Sequence, residues 1–222
     1  MFFKADELES ITRRAADAAR ARGRTMFLHR FKLCSLFGFQ VWIDASWFLI
    51  GALIAWTLAG AIFPAALPGL STSTYWWMGI AAAIGLLFSI VFHETAHSLV
   101  ARRYGIEIKG ITLFIFGGVA QMEGEPENAR SEFLMALAGP VSSLLLSAAL
   151  FLLSGLIGAV HGPHPAVAVA WYLGSLNAIL GIFNLAPAFP LDGGRMLRAA
   201  LWGWRKDIGW ATRIASHAGE AF

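Results

Sequence analysis

Four stretches of this 222-residue chain are apolar for long enough to cross a lipid bilayer as helices, and that constrains its fold more than any other feature. They run from Ala45 to Phe63, from Trp76 to Ala101, from Phe133 to Val160 and from about Ala166 to Leu185. Hydrocarbon offers no hydrogen-bond partners, so a spanning backbone must satisfy its own polar groups, and an α-helix does so. Pro64 closes the first run, and Pro68, Gly69 and a Ser/Thr cluster mark the turn before the second. Small residues within the runs, such as Ala82, Gly85, Ser143, Ser147, Gly174 and Gly181, permit close approach of helices. With 57% hydrophobic and only 14% charged residues, the composition excludes a secreted soluble enzyme and a disordered chain. The expected fold class is an all-α polytopic membrane protein: at least four transmembrane helices in one bundle, with short membrane-associated β-hairpins.

The formal charge of +3 does not point to nucleic acid, because the basic residues are scattered and not interleaved with stacking aromatics. Their placement bears on topology instead. Of the 17 Lys and Arg, eight precede Leu33, four lie from Arg102 to Arg130 and five from Arg195 to Arg213; the loops 64–75 and 159–165 hold none. The positive-inside rule then puts the N-terminus, the 102–132 segment and everything after Pro190 in the cytoplasm. Residues 1–30 read as a polar cytoplasmic helix, with Asp6, Glu7 and Glu9 in front and Arg13, Arg14, Arg20 and Arg22 behind, the order a helix dipole favours. The first long apolar run starts too late and is too long for a cleavable signal. Residues 31–222 read as one transmembrane core. Within it, Phe31 to Ile43 predicts a short hairpin, since Ser35 and Gly38 stand among strand formers. The single cysteine, Cys34, excludes an internal disulfide.

Near the cytoplasmic end of the second run stands His93-Glu94-Thr95-Ala96-His97. Residues four apart on a helix share a face, so His93 and His97 can present two imidazoles to one metal with Glu94 beside them, a geometry that suits zinc. Ionisable side chains are costly inside a bilayer and rarely lack a function there. At about 1.5 Å per residue back from Arg102, these three lie roughly 7 to 14 Å below the cytoplasmic surface. A catalytic zinc site normally has three protein ligands and one open position. His161 and His164 belong to the opposite loop and Asp44 sits where the first span begins, which leaves Asp192. Pro187 and Pro190 end regular helix before it, and Gly193-Gly194 lets the chain turn after it. From the residues alone, Asp192 is either the third ligand or a loop aspartate capping a helix that starts near Arg195.

Taken together, His93-Glu94-Thr95-Ala96-His97 and Asn184-Leu185-Ala186-Pro187-Ala188-Phe189-Pro190-Leu191-Asp192-Gly193 resemble the site-2 protease family of intramembrane zinc metalloproteases, which pairs an HExxH helix with a later N-x-x-P-x-x-P-L-D-G segment. The resemblance covers roughly Phe31 to Arg198. It implies one Zn2+ per chain bound by His93, His97 and Asp192, and Glu94 as the catalytic base. It also implies that Gly117-Gly118 and Ala138-Gly139-Pro140 belong to the catalytic core. Larger members of the family carry two further helices, so the core is expected to continue past Phe222, with Trp210 to Ala215 opening a fifth helix.

The segment Gly110 to Met122 is too short to span the membrane and rich in strand formers, so it predicts a hairpin dipping into the bundle near the metal. Its edge could hold an unwound substrate by strand addition, with Phe116, Gly117, Gly118 and Val119 nearest; the other reading is a hairpin that seals the site from lipid. Asn184 also has two readings, an amide tying two helices together or a donor to the oxyanion formed when water attacks a carbonyl. The function expected is an intramembrane zinc endopeptidase that cuts a transmembrane segment of another membrane protein near the cytoplasmic face, in a prokaryotic cell membrane. The alternative is a metal-ion transporter, which needs polar residues along a route to the outer side, and the outer halves of these runs offer almost none. A silent scaffold has no use for Glu94 beside two ligands. No pattern in the sequence sets an oligomeric state or names the substrate.

Overall fold

The computed structural model describes residues 30–114 and 117–220. The polar helix expected over 1–30 lies outside the described residues, apart from Arg30, which opens the first strand. The chain begins with β1 (Arg30–Leu36) and β2 (Phe39–Asp44), the expected hairpin, turning through Phe37 and Gly38, both at positive φ. β2 passes directly into α1 (Ala45–Ala66). There the Asp44 carboxylate accepts the Ser46 N–H at 2.9 Å, so its side chain serves as a helix cap. α2 (Thr72–Arg103), β3 (Glu107–Phe114), β4 (Gly117–Glu123), α3 (Ala129–Ala159), α4 (His164–Asn184), α5 (Asp192–Arg205) and α6 (Ile208–Glu220) follow.

Among the described residues, α1 to α4 are the four helices long and apolar enough to cross a membrane, and the chain is a multi-pass membrane protein. Three of them begin earlier than their apolar runs, because a helix starts at its cap and not at its first apolar residue. Ser71 Oγ accepts the Thr74 N–H at 3.2 Å to open α2, and the Asn128 side chain accepts the Ser131 N–H at 2.9 Å to open α3. Within α1, residues Leu58–Ile62 are wound as π-helix. Pro64, two residues further on, brings no N–H to the ladder, and the wider turn accommodates that loss.

The two hairpins are not separate. They join into one four-stranded sheet in the order β1-β2-β3-β4, and the central pair, β2 with β3, is parallel, with Val41 opposite Ile111 and Ile43 opposite Leu113. A sequence pattern reveals hairpins through their turns, but a parallel pair has no turn to reveal it. The sheet is held to the bundle by an apolar cluster of Val41, Ile43, Ile111 and Leu113 with Trp47 of α1 and Val91 of α2. That cluster fixes the strands two residues from His93.

The spans pack through small residues. A Cβ on Gly79 of α2 would overlap the Ala55 carbonyl of α1, and one on Gly181 of α4 would press on Leu144 of α3. Hydroxyls tie α3 to α4, Ser147 Oγ donating to the Gly174 carbonyl at 2.7 Å and Ser154 Oγ to that of Val167 at 3.0 Å. Beyond the bundle, α5 and α6 are short helices. α6, described over 13 residues, contains the Trp210 to Ala215 segment.

Candidate active site

α2 carries His93, Glu94 and His97 in its last third, and both imidazoles are about 5% exposed. Their Nε2 atoms stand 3.1 Å apart, and Asp192 Oδ2 lies 3.2 Å from each. Three donor atoms thus converge on one point. Asp192 is the first residue of α5, with Leu191 as the cap, so it is not the helix-capping loop residue of the competing reading. It reaches the imidazoles because Gly193 and Gly194 pack against the backbone of Leu185, Ala186 and Ala188, where a Cβ would collide with main-chain atoms.

Whether these residues suit a zinc ion is decided by where the imidazole protons sit. The Met135 carbonyl can only accept, and it lies 2.6 Å from His97 Nδ1, so Nδ1 carries the proton and Nε2 presents a lone pair. His93 Nδ1 meets Ser143 Oγ at 2.9 Å, which leaves its Nε2 facing the same point. Donors about 2.0 to 2.1 Å from a tetrahedral zinc ion stand roughly 3.3 to 3.4 Å from one another. The observed spacings match that edge, and two lone pairs beside a carboxylate suit a cation, so the donor set fits zinc.

One stripe of α3 backs the pair of imidazoles. Glu132, Met135, Gly139 and Ser143 follow at helical spacing; Met135 and Ser143 hold the two Nδ1 atoms, and a Cβ on Gly139 would run into both Nε2 atoms. From the sequence, packing alone accounts for Ser143, because nothing in a serine on an apolar helix tells which neighbour, 50 positions away, it will meet. Ser142, read in the same way, bonds within its own helix to the Gly139 carbonyl at 2.7 Å.

A cavity of about 750 Å³ opens from the cluster. Glu94, Asn184, Gly117, Gly118 and Arg195 line it together with His93, His97 and Asp192, and apolar side chains of α1 and α2 such as Ile50, Ile54 and Ile90 complete its walls. Gly118 sits against Glu94 so closely that a Cβ there would touch the Glu94 side chain. β4, the strand of Gly117, Gly118 and Val119, is an outer strand of the sheet. Phe116 lies outside the described residues, and Val119 is described only through its backbone pairing with Thr112. Asn184 Nδ2 donates to the Leu180 carbonyl of its own helix at 2.9 Å. Its second amide hydrogen is not used in that bond.

The chain is similar to known proteins over most of its length. The family model for Peptidase family M50 matches residues 81–164 and 153–219. Rip3 of Mycobacterium tuberculosis is 41% identical over 82% of this chain and 46% of its own length. Zinc metalloprotease MJ0392 of Methanocaldococcus jannaschii is 38% identical over 68% of this chain and 42% of its own length. The chain spans about half the length of the curated relatives it matches. Among solved structures, the site-2 protease from Methanocaldococcus jannaschii superimposes with a TM-score of 0.58 at 30% identity, over 87% of this chain and 81% of that one. By its family match and by its likeness to that structure, the chain belongs to peptidase family M50, the site-2 proteases.

Proposed function

We infer that this chain is the catalytic core of an intramembrane zinc endopeptidase. The observation that carries the reading is the convergence of His93 Nε2, His97 Nε2 and Asp192 Oδ2, at 3.1 to 3.2 Å, beside the Glu94 carboxylate in a single cavity. Relatives named as zinc metalloproteases support the choice of metal. His93, His97 and Asp192 would hold one Zn2+. When bound, the ion supplies Lewis acidity, polarising the scissile carbonyl and lowering the pKa of water.

The chain's own residues then divide the remaining work. Glu94 takes the proton of the attacking water and passes it to the leaving amine nitrogen. The unused hydrogen on Asn184 Nδ2 can meet the carbonyl oxygen as it becomes negative. A helix hides its peptide bonds in its own hydrogen bonds, so a membrane-spanning substrate must be held extended. The outer edge of β4 at Gly117, Gly118 and Val119, against Glu94, supports strand addition as the means. Phe116 is assigned to the same substrate stretch by its place between β3 and β4. The distribution of Lys and Arg supports a cytoplasmic N-terminus and cleavage near the cytoplasmic face.

The test uses purified protein in liposomes with a single-span peptide as substrate, reading products by mass spectrometry, metal content by elemental analysis and zinc flux with an intravesicular dye. Close to one zinc per chain, cleavage near one end of the span and no flux are expected. Zinc flux without cleavage would replace this reading with the transporter.

A further inference from the structure

One buried ion pair lies outside the cavity and has no part in the chemistry above. Glu132, in the first turn of α3, is fully buried, and its Oε1 accepts hydrogen bonds from both Nε and Nη2 of Arg198 on α5. Glu132 Oε2 is also buried and has no hydrogen-bond partner among the described residues. The Arg198 guanidinium rests over the Phe189 ring, 5.7 Å from its centroid, in the loop that leads to Asp192. Neither charged side chain lines the cavity.

The position of the pair is informative. Glu132 heads the stripe of α3 whose Met135 carbonyl and Ser143 hydroxyl hold the two imidazoles. Arg198 stands less than two turns after Asp192 on α5. The pair therefore joins the helix that orients both histidines to the helix that delivers the aspartate. A buried ion pair contributes little net stability compared with apolar residues of similar size, because desolvation offsets its attraction. It differs from apolar packing in being directional: a guanidinium fork on one carboxylate oxygen fixes rotation and distance, and a greasy contact permits sliding.

We propose that Glu132 and Arg198 are positioning residues for the metal centre, setting where Asp192 stands relative to His93 and His97. This rests on the zinc reading of the site. Removing the pair should weaken metal binding by about 10–100-fold, the usual cost of losing a group that orients a ligand, without unfolding the protein.

The experiment measures zinc affinity by chelator competition, and thermal unfolding, on the purified full chain in detergent. The variants are Glu132→Leu with Arg198→Met, which keeps an apolar contact, and Arg198→Lys, which keeps the charge but not the fork. Expected is a double variant that melts near the parent temperature and binds zinc at least tenfold more weakly, with Arg198→Lys in between. If the double variant loses its fold, Arg198→Lys decides alone, a loss of affinity supporting the proposal. Parent-like zinc affinity in every folded variant overturns it. A parent protein that binds no stoichiometric zinc would instead remove the functional reading itself.

Discussion

His93 and His97 take their spacing from one helix, whereas Asp192 meets His93 across 99 positions of chain. The first pair needs only a formed α2 to be neighbours, and α2 is apolar enough to form in any membrane setting. The aspartate needs α4 to end at Asn184, the Pro187 to Pro190 segment to turn, and two glycines to seat against main-chain carbonyls. A site divided in this way has a robust half and a dependent half, and substitutions should separate them.

The largest effect leaves both halves intact. Glu94→Gln keeps size and neighbours but removes the carboxylate proposed as the base, so cleavage should fall by about 10²–10⁴-fold with zinc content unchanged; metal analysis beside product quantification checks both. Gly139→Ala attacks the histidine half from behind, since its Cβ would occupy the space of both Nε2 atoms. It should abolish stoichiometric zinc and lower stability by about 1–3 kcal/mol, measured by elemental analysis and thermal melting. Gly193→Ala strikes the dependent half alone. Its Cβ would meet the Leu185 and Ala186 carbonyls, displacing Asp192, so zinc affinity should fall while the histidine helix stays formed by circular dichroism.

The robust half of the site is legible in the sequence. An i, i+4 pair is a property of the helix, and the spans follow from the lipid requirement to within a few residues, the largest shifts lying where Ser71 and Asn128 cap earlier than the apolar runs. The dependent half is legible only through the resemblance, because prolines and glycines announce a turn without saying where its aspartate will land. Ser143, the Met135 carbonyl and the Glu132–Arg198 pair are not legible at all. Each acts through a contact between distant segments that no local pattern encodes. The same holds for the parallel pairing of β2 with β3.

Two smaller effects refine the comparison further. Ser143→Ala removes the partner of His93 Nδ1 and should weaken zinc by about tenfold, whereas Ser142→Ala, whose hydroxyl bonds its own helix, should leave affinity as it was. Smallest of all, Ser147→Ala breaks the tie to the Gly174 carbonyl away from the metal cluster, costing about 0.6–2 kcal/mol of stability in an unfolding titration and nothing in zinc binding.

The sheet has a mechanical consequence. β2 continues without a loop into α1, β3 is hydrogen-bonded alongside β2, and β4, bonded to β3, rests its Gly118 on Glu94. Helix, three strands and carboxylate therefore form one linkage, with Asp44 as its elbow. No loop stands between the first span and the strand pairing that leads to Gly118, so the first span and the Glu94 side chain are joined by an unbroken run of chain and backbone hydrogen bonds.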